Sequence, residues 1–171
     1  MRRRRFLAST AAVAAVAVGG VSQMRIFGFG SDARASSEEA FEVTRTDAEW
    51  RALLSSEQYA VLRQEATERA FTSPLNEEKR KGIFHCAGCD LPAYASETKF
   101  ESGTGWPSFW DALPGAVATR GDRSLFMLRT EVHCRRCGGH FGHVFDDGPA
   151  PTGKRHCLNG LALAFKPAEA A

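Results

Sequence analysis

The sequence lacks an excess of positive charge outside its first 35 residues. The chain of 171 residues has a formal net charge of +2, but residues 1–35 contain six of the 22 Lys and Arg residues and one of the 20 Asp and Glu residues. The remaining 136 residues therefore hold 16 basic and 19 acidic side chains, a net charge of −3. A domain that binds nucleic acid normally keeps a basic surface, so we expect no nucleic-acid partner.

The chain also has few cysteines, and their number is odd. The five are Cys86, Cys89, Cys134, Cys137 and Cys157. An odd count excludes a fold in which every cysteine closes an intramolecular disulfide. The part after residue 35 lacks low-complexity segments and has no internal repeat beyond two cysteine pairs. With 43% hydrophobic and 25% charged residues, the chain is typical of an ordinary globular protein.

Residues 1–35 have the features of an export signal. Four arginines precede the apolar run "FLASTAAVAAVAVGGV", and "ARA" at residues 33–35 has the small-x-small form of a signal-peptidase site. The segment "RRRFL" predicts a twin-arginine signal, while the length of the apolar run also allows an uncleaved membrane anchor. Either interpretation puts the folded part in the periplasm or on the outer face of the cytoplasmic membrane. Residues 36–45 are assigned to a linker and residues 46–171 to the domain.

Two short helices are predicted at the start of this domain, followed by strands. Capping boxes at Thr46 and Ser55 begin the helices. Their apolar faces comprise Trp50, Leu53, Leu54, Tyr59, Leu62 and Ala66. Beyond residue 75, the segments "GIFHC", "SLFMLRTEVHC", "HFGHVF" and "LALAFK" are typical of strands between Gly and Pro residues. We expect a mainly β fold of antiparallel strands with a short helical N-terminal arm.

The longest of these segments predicts a half-buried strand. Its alternation puts Phe126, Leu128, Thr130 and Val132 on one face. The opposite face comprises Arg129, Glu131 and His133. An antiparallel strand with one face on the core and one in solvent has this pattern.

The pairs "CAGC" (Cys86, Cys89) and "CRRC" (Cys134, Cys137) predict one zinc ion per chain. Four thiolates complete a tetrahedral site with no open position, so the metal would be structural and would clip the strands between the pairs. Two disulfides or two redox-active pairs are the alternatives, since an exported protein meets oxidising conditions. Neither pair precedes a helical pattern, as a thioredoxin-type dithiol would.

The fifth cysteine, Cys157 in "RHCLNG", has two interpretations. Its basic neighbours favour a reactive thiolate, but free cysteine is also among the most buried residue types. The segment "HFGHVF" supplies His140 and His143 as an acid or base for a nearby sulfur, or as metal ligands. The loop "SGTGWPSFW", with Trp106 and Phe109, can fill a core or form the wall of a site for a small apolar group. A redox enzyme, a zinc hydrolase that uses the two histidines and Cys157, and a non-catalytic zinc-ribbon module all stay open.

The motifs "TKFESGTGWPSF" and "RTEVHCRRCGGHFGHVFDDGPAPTGKRHCLNG", with the two cysteine pairs, closely resemble the B-type methionine-(R)-sulfoxide reductases from about Trp50 to Phe165. The resemblance implies coiled antiparallel sheets with peripheral helices, and reduction of the R epimer of methionine sulfoxide in proteins. It implies that Cys157 is the nucleophile and becomes a sulfenic acid, and that Trp106 holds the ε-methyl group of the substrate. It also implies that the sulfoxide oxygen is oriented and protonated with the help of His140, His143, Asn159 and Arg155, and that zinc is bound by Cys86, Cys89, Cys134 and Cys137.

Three positions depart from the family pattern. Thr104 stands where many relatives carry a second, resolving cysteine. We therefore expect no intramolecular disulfide after turnover, and recycling by a thioredoxin-like protein or a small thiol. His156 replaces a common tyrosine and Phe141 a common leucine, and an imidazole beside Cys157 could alter the pKa of the nucleophile. The expected assembly is a monomer whose partners are oxidised proteins and the reductant.

Overall fold

The computed structural model describes residues 40–124 and 128–169, beginning with two short helices. Their bounds are α1 (Asp47–Leu53) and α2 (Ser56–Gln64). Both predicted capping boxes are present, because the hydroxyls of Thr46 and Ser55 each accept the backbone N–H three residues later. The helices bury Trp50 and Leu62, but Leu53, which was predicted on the buried face, is 54% exposed.

Within the described residues, nine strands form two antiparallel sheets. Their bounds are β1 (Gly82–Cys86), β2 (Pro92–Ala95), β3 (Lys99–Phe100), β4 (Ser108–Phe109), β5 (Val117–Asp122), β6 (Arg129–Cys134), β7 (His140–Phe145), β8 (Arg155–Leu158) and β9 (Leu163–Pro167). The smaller sheet has the order β2-β1-β9, and the larger has the order β3-β4-β8-β7-β6-β5. Short 3-10 helices lie at Pro74–Asn76, Ser96–Thr98 and Gly160–Ala162. The mainly β fold with a short helical N-terminal arm is therefore confirmed.

The two sheets share one core, in which aromatic side chains meet. Phe84 of β1 packs edge to face on Phe109 of β4, with 5.0 Å between ring centroids. Tyr94 of β2 lies 4.7 Å from the same Phe109 ring. All three side chains are fully buried, as is Phe141 of β7. Phe109 therefore belongs to the core, which is one of the two roles that the sequence allows for the loop "SGTGWPSFW". Phe141, the departure from leucine, fills space beside Tyr94 at 6.2 Å.

β6 differs from the predicted strand in both length and burial. The described strand begins at Arg129, and residues 125–127 of the predicted segment lie outside the described residues. Glu131 and His133, predicted on the solvent face, are 2% and 1% exposed. The prediction of a half-buried strand was wrong here, because the Glu131 carboxylate is buried against polar partners such as the imidazole of His140 on β7.

The hairpin of β7 and β8 brings Cys157 next to the predicted histidines. The register pairs His143 with Cys157, and on the other edge of β8 Ser108 of β4 pairs with Cys157. The turn-rich residues 146–153 connect the two strands, as the sequence predicts. Gly142 allows the strands to approach closely, since a Cβ atom there would lie 2.0 Å from the Cys157 carbonyl oxygen.

The predicted export segment, residues 1–35, and the linker as far as residue 39 lie outside the described residues. In the described ranges, no helix has the length and hydrophobicity needed to cross a bilayer.

Candidate active site and metal site

The cysteines of both C-x-x-C pairs meet in one cluster. The four Sγ atoms lie within 4.8 Å of one another, with 3.7 Å between those of Cys86 and Cys137 and 3.5 Å between those of Cys89 and Cys134. Thiolates around a tetrahedral zinc ion with bonds of about 2.3 Å would lie about 3.8 Å apart. All five cysteines of the chain are described and all are free thiols, so neither pair forms a disulfide. The residues present fit a metal ion.

Each cysteine pair sits on the same kind of turn. Asp90 and Gly138, which follow the second cysteine of each pair, have left-handed backbones with φ of 61° and 69°. Their N–H groups donate to the carbonyls of Cys86 and Cys134, both at 2.8 Å. Because β1 ends at Cys86 and β6 ends at Cys134, the two turns bring strand ends from different sheets to one point. A metal bound there would join the two sheets, as the sequence predicts.

The fifth cysteine, Cys157, lines a separate small pocket beside β7 and β8. The lining residues are Thr67, Trp106, Arg129, Gly142, His143, Phe145, Cys157, Leu158 and Asn159. The volume is about 140 Å³, comparable with four or five water molecules at about 30 Å³ each. It is large enough for one side chain and too small for a folded segment. A larger cavity of about 730 Å³ lies between α2 and residues 66–75 and 160–163, away from Cys157.

The Cys157 sulfur faces a chain of hydroxyl groups. Thr104 Oγ1 lies 3.8 Å from the Cys157 Sγ atom. Ser102 Oγ joins it at 2.8 Å and reaches Ser108 Oγ at 2.7 Å. Hydroxyls donate as well as accept, so this chain can give a hydrogen bond to a thiolate or to a sulfenic acid. Thr104, the departure from the family pattern in this loop, is thus in contact with the Cys157 sulfur.

His143 contributes an imidazole to the pocket wall. Its Nε2 atom lies 2.8 Å from Asp122 Oδ2 at the end of β5. The Ser124 N–H and the imidazole hold the pKa of Asp122 below its usual range, so the carboxylate accepts and Nε2–H donates. Burial lowers the pKa of His143, and the hydrogen bond to Asp122 opposes that shift. His143 therefore has a fixed tautomer, in which Nδ1 is the nitrogen left for proton exchange.

His140 lies behind His143 and supports it. The two rings meet edge to face with 5.5 Å between centroids, and His140 is only 2% exposed. Its Nδ1 atom lies 2.7 Å from Glu131 Oε1. Burial alone would raise the pKa of Glu131, but the hydrogen bonds from His133 and His140 and the charge of Arg120 outweigh it and lower this pKa to about 2. A buried, ionised carboxylate thus orients the His140 ring.

Arg155 and His156 lie on opposite faces of β8. Arg155 makes two hydrogen bonds of 2.9 Å to Asp147 and stacks on Phe145 at 4.5 Å. The bond to Asp147 raises the pKa of Arg155, and the Cys157 sulfur acts in the same direction. His156 points into the core, where its Nδ1 atom lies 3.1 Å from the Tyr94 hydroxyl and burial lowers its pKa. The departure from tyrosine at position 156 therefore acts on the core, on the face of β8 opposite to Arg155.

Trp106 and Asn159 are both bonded to Glu68, which follows α2. The arm comprises residues 46–76, from the cap of α1 to the 3-10 helix Pro74–Asn76. The Trp106 indole Nε1–H donates to the Glu68 carbonyl at 3.0 Å. The Asn159 side chain accepts from the Glu68 N–H at 2.9 Å and donates to the Phe141 carbonyl at 3.0 Å. The half-buried Trp106 ring lines the pocket. The polar atoms of the Asn159 side chain make hydrogen bonds to the backbone of Glu68 and Phe141.

Residues 54–167 match the SelR domain. The chain belongs to the SelR domain family. It is 53% identical over 128 residues to the peptide methionine sulfoxide reductase MsrB of Methanosarcina barkeri, which covers 74% of this chain and 90% of that protein. The corresponding enzymes of Agrobacterium fabrum (50% over 127 residues, 74% and 94%) and Pseudomonas putida (52% over 132 residues, 76% and 98%) are similar over almost their whole length.

In this SelR domain, the sequence-predicted residues fall into two groups. Cys157, His143, Trp106 and Asn159 line the pocket, whereas Arg155 and His140 are outside its lining, Arg155 bonded to Asp147 and His140 packed on the His143 ring. Three pocket or supporting residues that the sequence did not single out are Arg129, Asp122 and Glu68. Charged residues are common on protein surfaces, so these three can be recognised as part of the site only from the residues that they contact in the fold.

Proposed function

We propose that this protein reduces the R epimer of methionine sulfoxide in proteins to methionine. The observation that supports this most directly is the pocket in which Cys157 and His143 are paired across β7 and β8 beneath Trp106. The relatives with 50 to 53% identity are named peptide methionine sulfoxide reductases. A zinc-ribbon module without catalysis is not favoured, because it would not require this pocket.

The chemistry needs a nucleophile and a proton donor on adjacent atoms. The Cys157 thiolate attacks the sulfoxide sulfur while the oxygen receives a proton, which the imidazolium form of His143 gives from Nδ1. The attack joins the two sulfurs, and the protonated oxygen then passes from the substrate sulfur to Cys157 Sγ. The old sulfur–oxygen bond and the sulfur–sulfur bond break in this transfer, so methionine leaves and Cys157 becomes a sulfenic acid. The sulfoxide is reduced by two electrons and Cys157 is oxidised by two. Trp106 offers an apolar face for the methyl group on the substrate sulfur.

The oxidised enzyme then needs a thiol from outside the chain. Cys86, Cys89, Cys134 and Cys137 would be held by the metal ion, and the residue that contacts the Cys157 sulfur at 3.8 Å is a threonine, Thr104. A first external thiol would attack the sulfenic acid and release water, and a second would free Cys157 as the external disulfide forms. A thioredoxin-like protein or a small thiol fits this role, and the protein would act as a monomer.

Zinc is the metal that we propose for the cysteine cluster. Four thiolates in a tetrahedral arrangement are the donor set of structural zinc sites. With all four positions taken by cysteine, such an ion would hold the two sheets together and would not contact substrate. A zinc hydrolase built on His140 and His143 would need a second ion. In the described part of the chain, however, these imidazoles are bonded to the carboxylates of Glu131 and Asp122.

We also propose that residues 1–35 direct export through the twin-arginine pathway to the periplasm or the outer face of the membrane. The arginines before the apolar run support this. A fusion of this segment to a reporter that is active only after export would test it. Replacing Arg3 and Arg4 by lysine should abolish the signal, and export that survives this change would contradict the assignment.

The function is tested with separated R and S epimers of methionine sulfoxide in a peptide, with dithiothreitol as the reductant. Cys157→Ser should abolish reduction of the R epimer, while one zinc per chain is retained by elemental analysis. Turnover in this variant would refute the role of Cys157. Preference for the S epimer in the unmodified protein would refute the proposed specificity.

A further inference from the structure

Glu68 connects the helical arm to three parts of the active site. It lies in the segment between α2 and Pro74–Asn76, and it is 8% exposed. Buried carboxylates are rare and are normally held by several partners. The partners of Glu68 are the backbone that follows Cys157, the indole of Trp106 and the amide of Asn159. No other residue of the arm has bonds to all three.

The carboxylate is anchored on the chain just after the nucleophile. Glu68 Oε1 accepts from the Gly160 N–H at 2.6 Å, and Oε2 accepts from the Leu161 N–H at 3.0 Å. These N–H groups begin the 3-10 helix Gly160–Ala162, whose N-cap, Asn159, makes no capping bond with its own side chain. Glu68 thus supplies the capping acceptor from a distant part of the sequence.

The backbone of Glu68 holds Trp106 and Asn159. Its carbonyl accepts from the Trp106 indole at 3.0 Å, and its N–H donates to the Asn159 amide oxygen at 2.9 Å. Because the side chain is fixed on Gly160 and Leu161, its length sets how far the Glu68 carbonyl stands from β8. The indole is bonded to that carbonyl, so the same length bears on the position of the Trp106 ring, while the backbone beside it is held on β8 by the bond from the Leu158 N–H to the Pro107 carbonyl.

Further contacts of the arm support this connection. A Cβ atom at Gly160 would lie 1.9 Å from the Ser73 hydroxyl, so the arm rests directly on the Gly160 backbone. Further along the arm, the Phe71 N–H donates to the Gly105 carbonyl at 2.7 Å, and the Asn76 amide donates to the same oxygen at 3.0 Å. The arm therefore holds the loop that carries Trp106 at two points, Gly105 and the indole.

We propose that Glu68 is a positioning residue, whose carboxylate fixes the arm on Gly160 and Leu161 and thereby holds Trp106 at the correct distance from Cys157. This inference rests on the proposed reductase function. The helical arm is thus one wall of the active site. The contribution of Glu68 is to the binding geometry of the sulfoxide and not to the reactivity of the thiol.

The decisive variant is Glu68→Asp, which keeps the charge and shortens the side chain by one carbon–carbon bond of about 1.5 Å. To keep its bonds to Gly160 and Leu161, the arm must move by a similar distance, and a misplacement of about 1 Å can lower a rate by about a hundredfold. We expect kcat/KM for the peptide R-sulfoxide to fall between about tenfold and a hundredfold, mainly through KM. Glu68→Gln keeps the length and one acceptor, and should retain more activity than Glu68→Asp.

Two controls separate positioning from general stability. Alkylation of Cys157 by iodoacetamide does not use Trp106, so its rate in Glu68→Asp should equal that of the unmodified protein. Glu57→Asp makes the same change at an exposed position of the arm and should leave both rates unaltered. Unchanged KM in a folded Glu68→Asp variant would overturn the inference. So would loss of the metal or of the circular dichroism spectrum, since Glu68 would then serve stability alone. Absence of activity in the unmodified protein would instead refute the reductase function.

Discussion

Replacing Thr104 by cysteine should give the enzyme an internal resolving thiol. Thr104 Oγ1 lies 3.8 Å from Cys157 Sγ, and no other cysteine of the described chain is outside the metal cluster. In Thr104→Cys, the sulfenic acid formed on Cys157 would meet a thiol in the place of the threonine hydroxyl. We expect an intramolecular disulfide after a single turnover, with release of water, where the unmodified protein retains a sulfenic acid or a mixed disulfide.

The structure sets the size of this effect. A disulfide bond is about 2.05 Å long, so the two side chains must approach by less than about 2 Å. Gly103, with φ of 73° and open space around its Cα, precedes Thr104 and lets the loop adjust. The bond would link positions 53 residues apart, for which loop-closure entropy gives about 4 kcal/mol of stabilisation. Strain in the loop would reduce that value.

The assay is one turnover with a peptide R-sulfoxide, followed by alkylation of free thiols and mass spectrometry. Thr104→Ser is the matched control, since it keeps a hydroxyl and cannot form a disulfide. Urea unfolding with and without reductant then measures the gain in the free energy of unfolding. A disulfide between Cys157 and a cysteine of the metal cluster in the unmodified protein would refute the reasoning. A sulfenic acid that persists in Thr104→Cys would refute the geometry.

Three further changes test other parts of the site. Asp122→Asn keeps an oxygen that accepts from His143 Nε2–H but removes the negative charge that opposes the burial-lowered pKa of His143. This pKa should fall further, and the alkaline limb of the kcat/KM profile should move to lower pH; an upward shift would contradict the role of His143 as proton donor. Cys134→Ser should lose the metal and unfold. Binding of a structural zinc ion contributes about 10 kcal/mol or more to the free energy of folding, and the free energy of unfolding of a domain is about 5–15 kcal/mol in total. A variant that is folded by circular dichroism and metal-free by elemental analysis would count against a structural metal. His156→Gln should lower the free energy of unfolding by about 1 kcal/mol, because the contact with the Tyr94 hydroxyl changes. The pH profile of kcat/KM should stay unchanged. A displaced profile would mean that this imidazole acts on Cys157.

Local sequence patterns predicted the structure correctly wherever the interacting groups are close together in the chain. The capping boxes at Thr46 and Ser55 use groups three residues apart, and both helices begin there. The knuckles at Cys86 and Cys134 need only a strand end and a turn, and both have that form. By contrast, the alternation of apolar and polar residues wrongly predicted that Glu131 is exposed. Its burial depends on partners from other strands, which no local pattern contains.

The sequence by itself predicted the class of fold and the four cysteines that meet in one cluster, because spacing along the chain fixes turns, caps and ligand pairs. Tertiary structure decided which residues surround Cys157 and in what order. Strand pairing put His143 opposite Cys157 and left His140 behind it. It turned His156 into the core, and it brought Glu68 against Trp106 from 38 residues away. These contacts join segments that are far apart in the chain, so they exist only once the sheets and the arm have packed together.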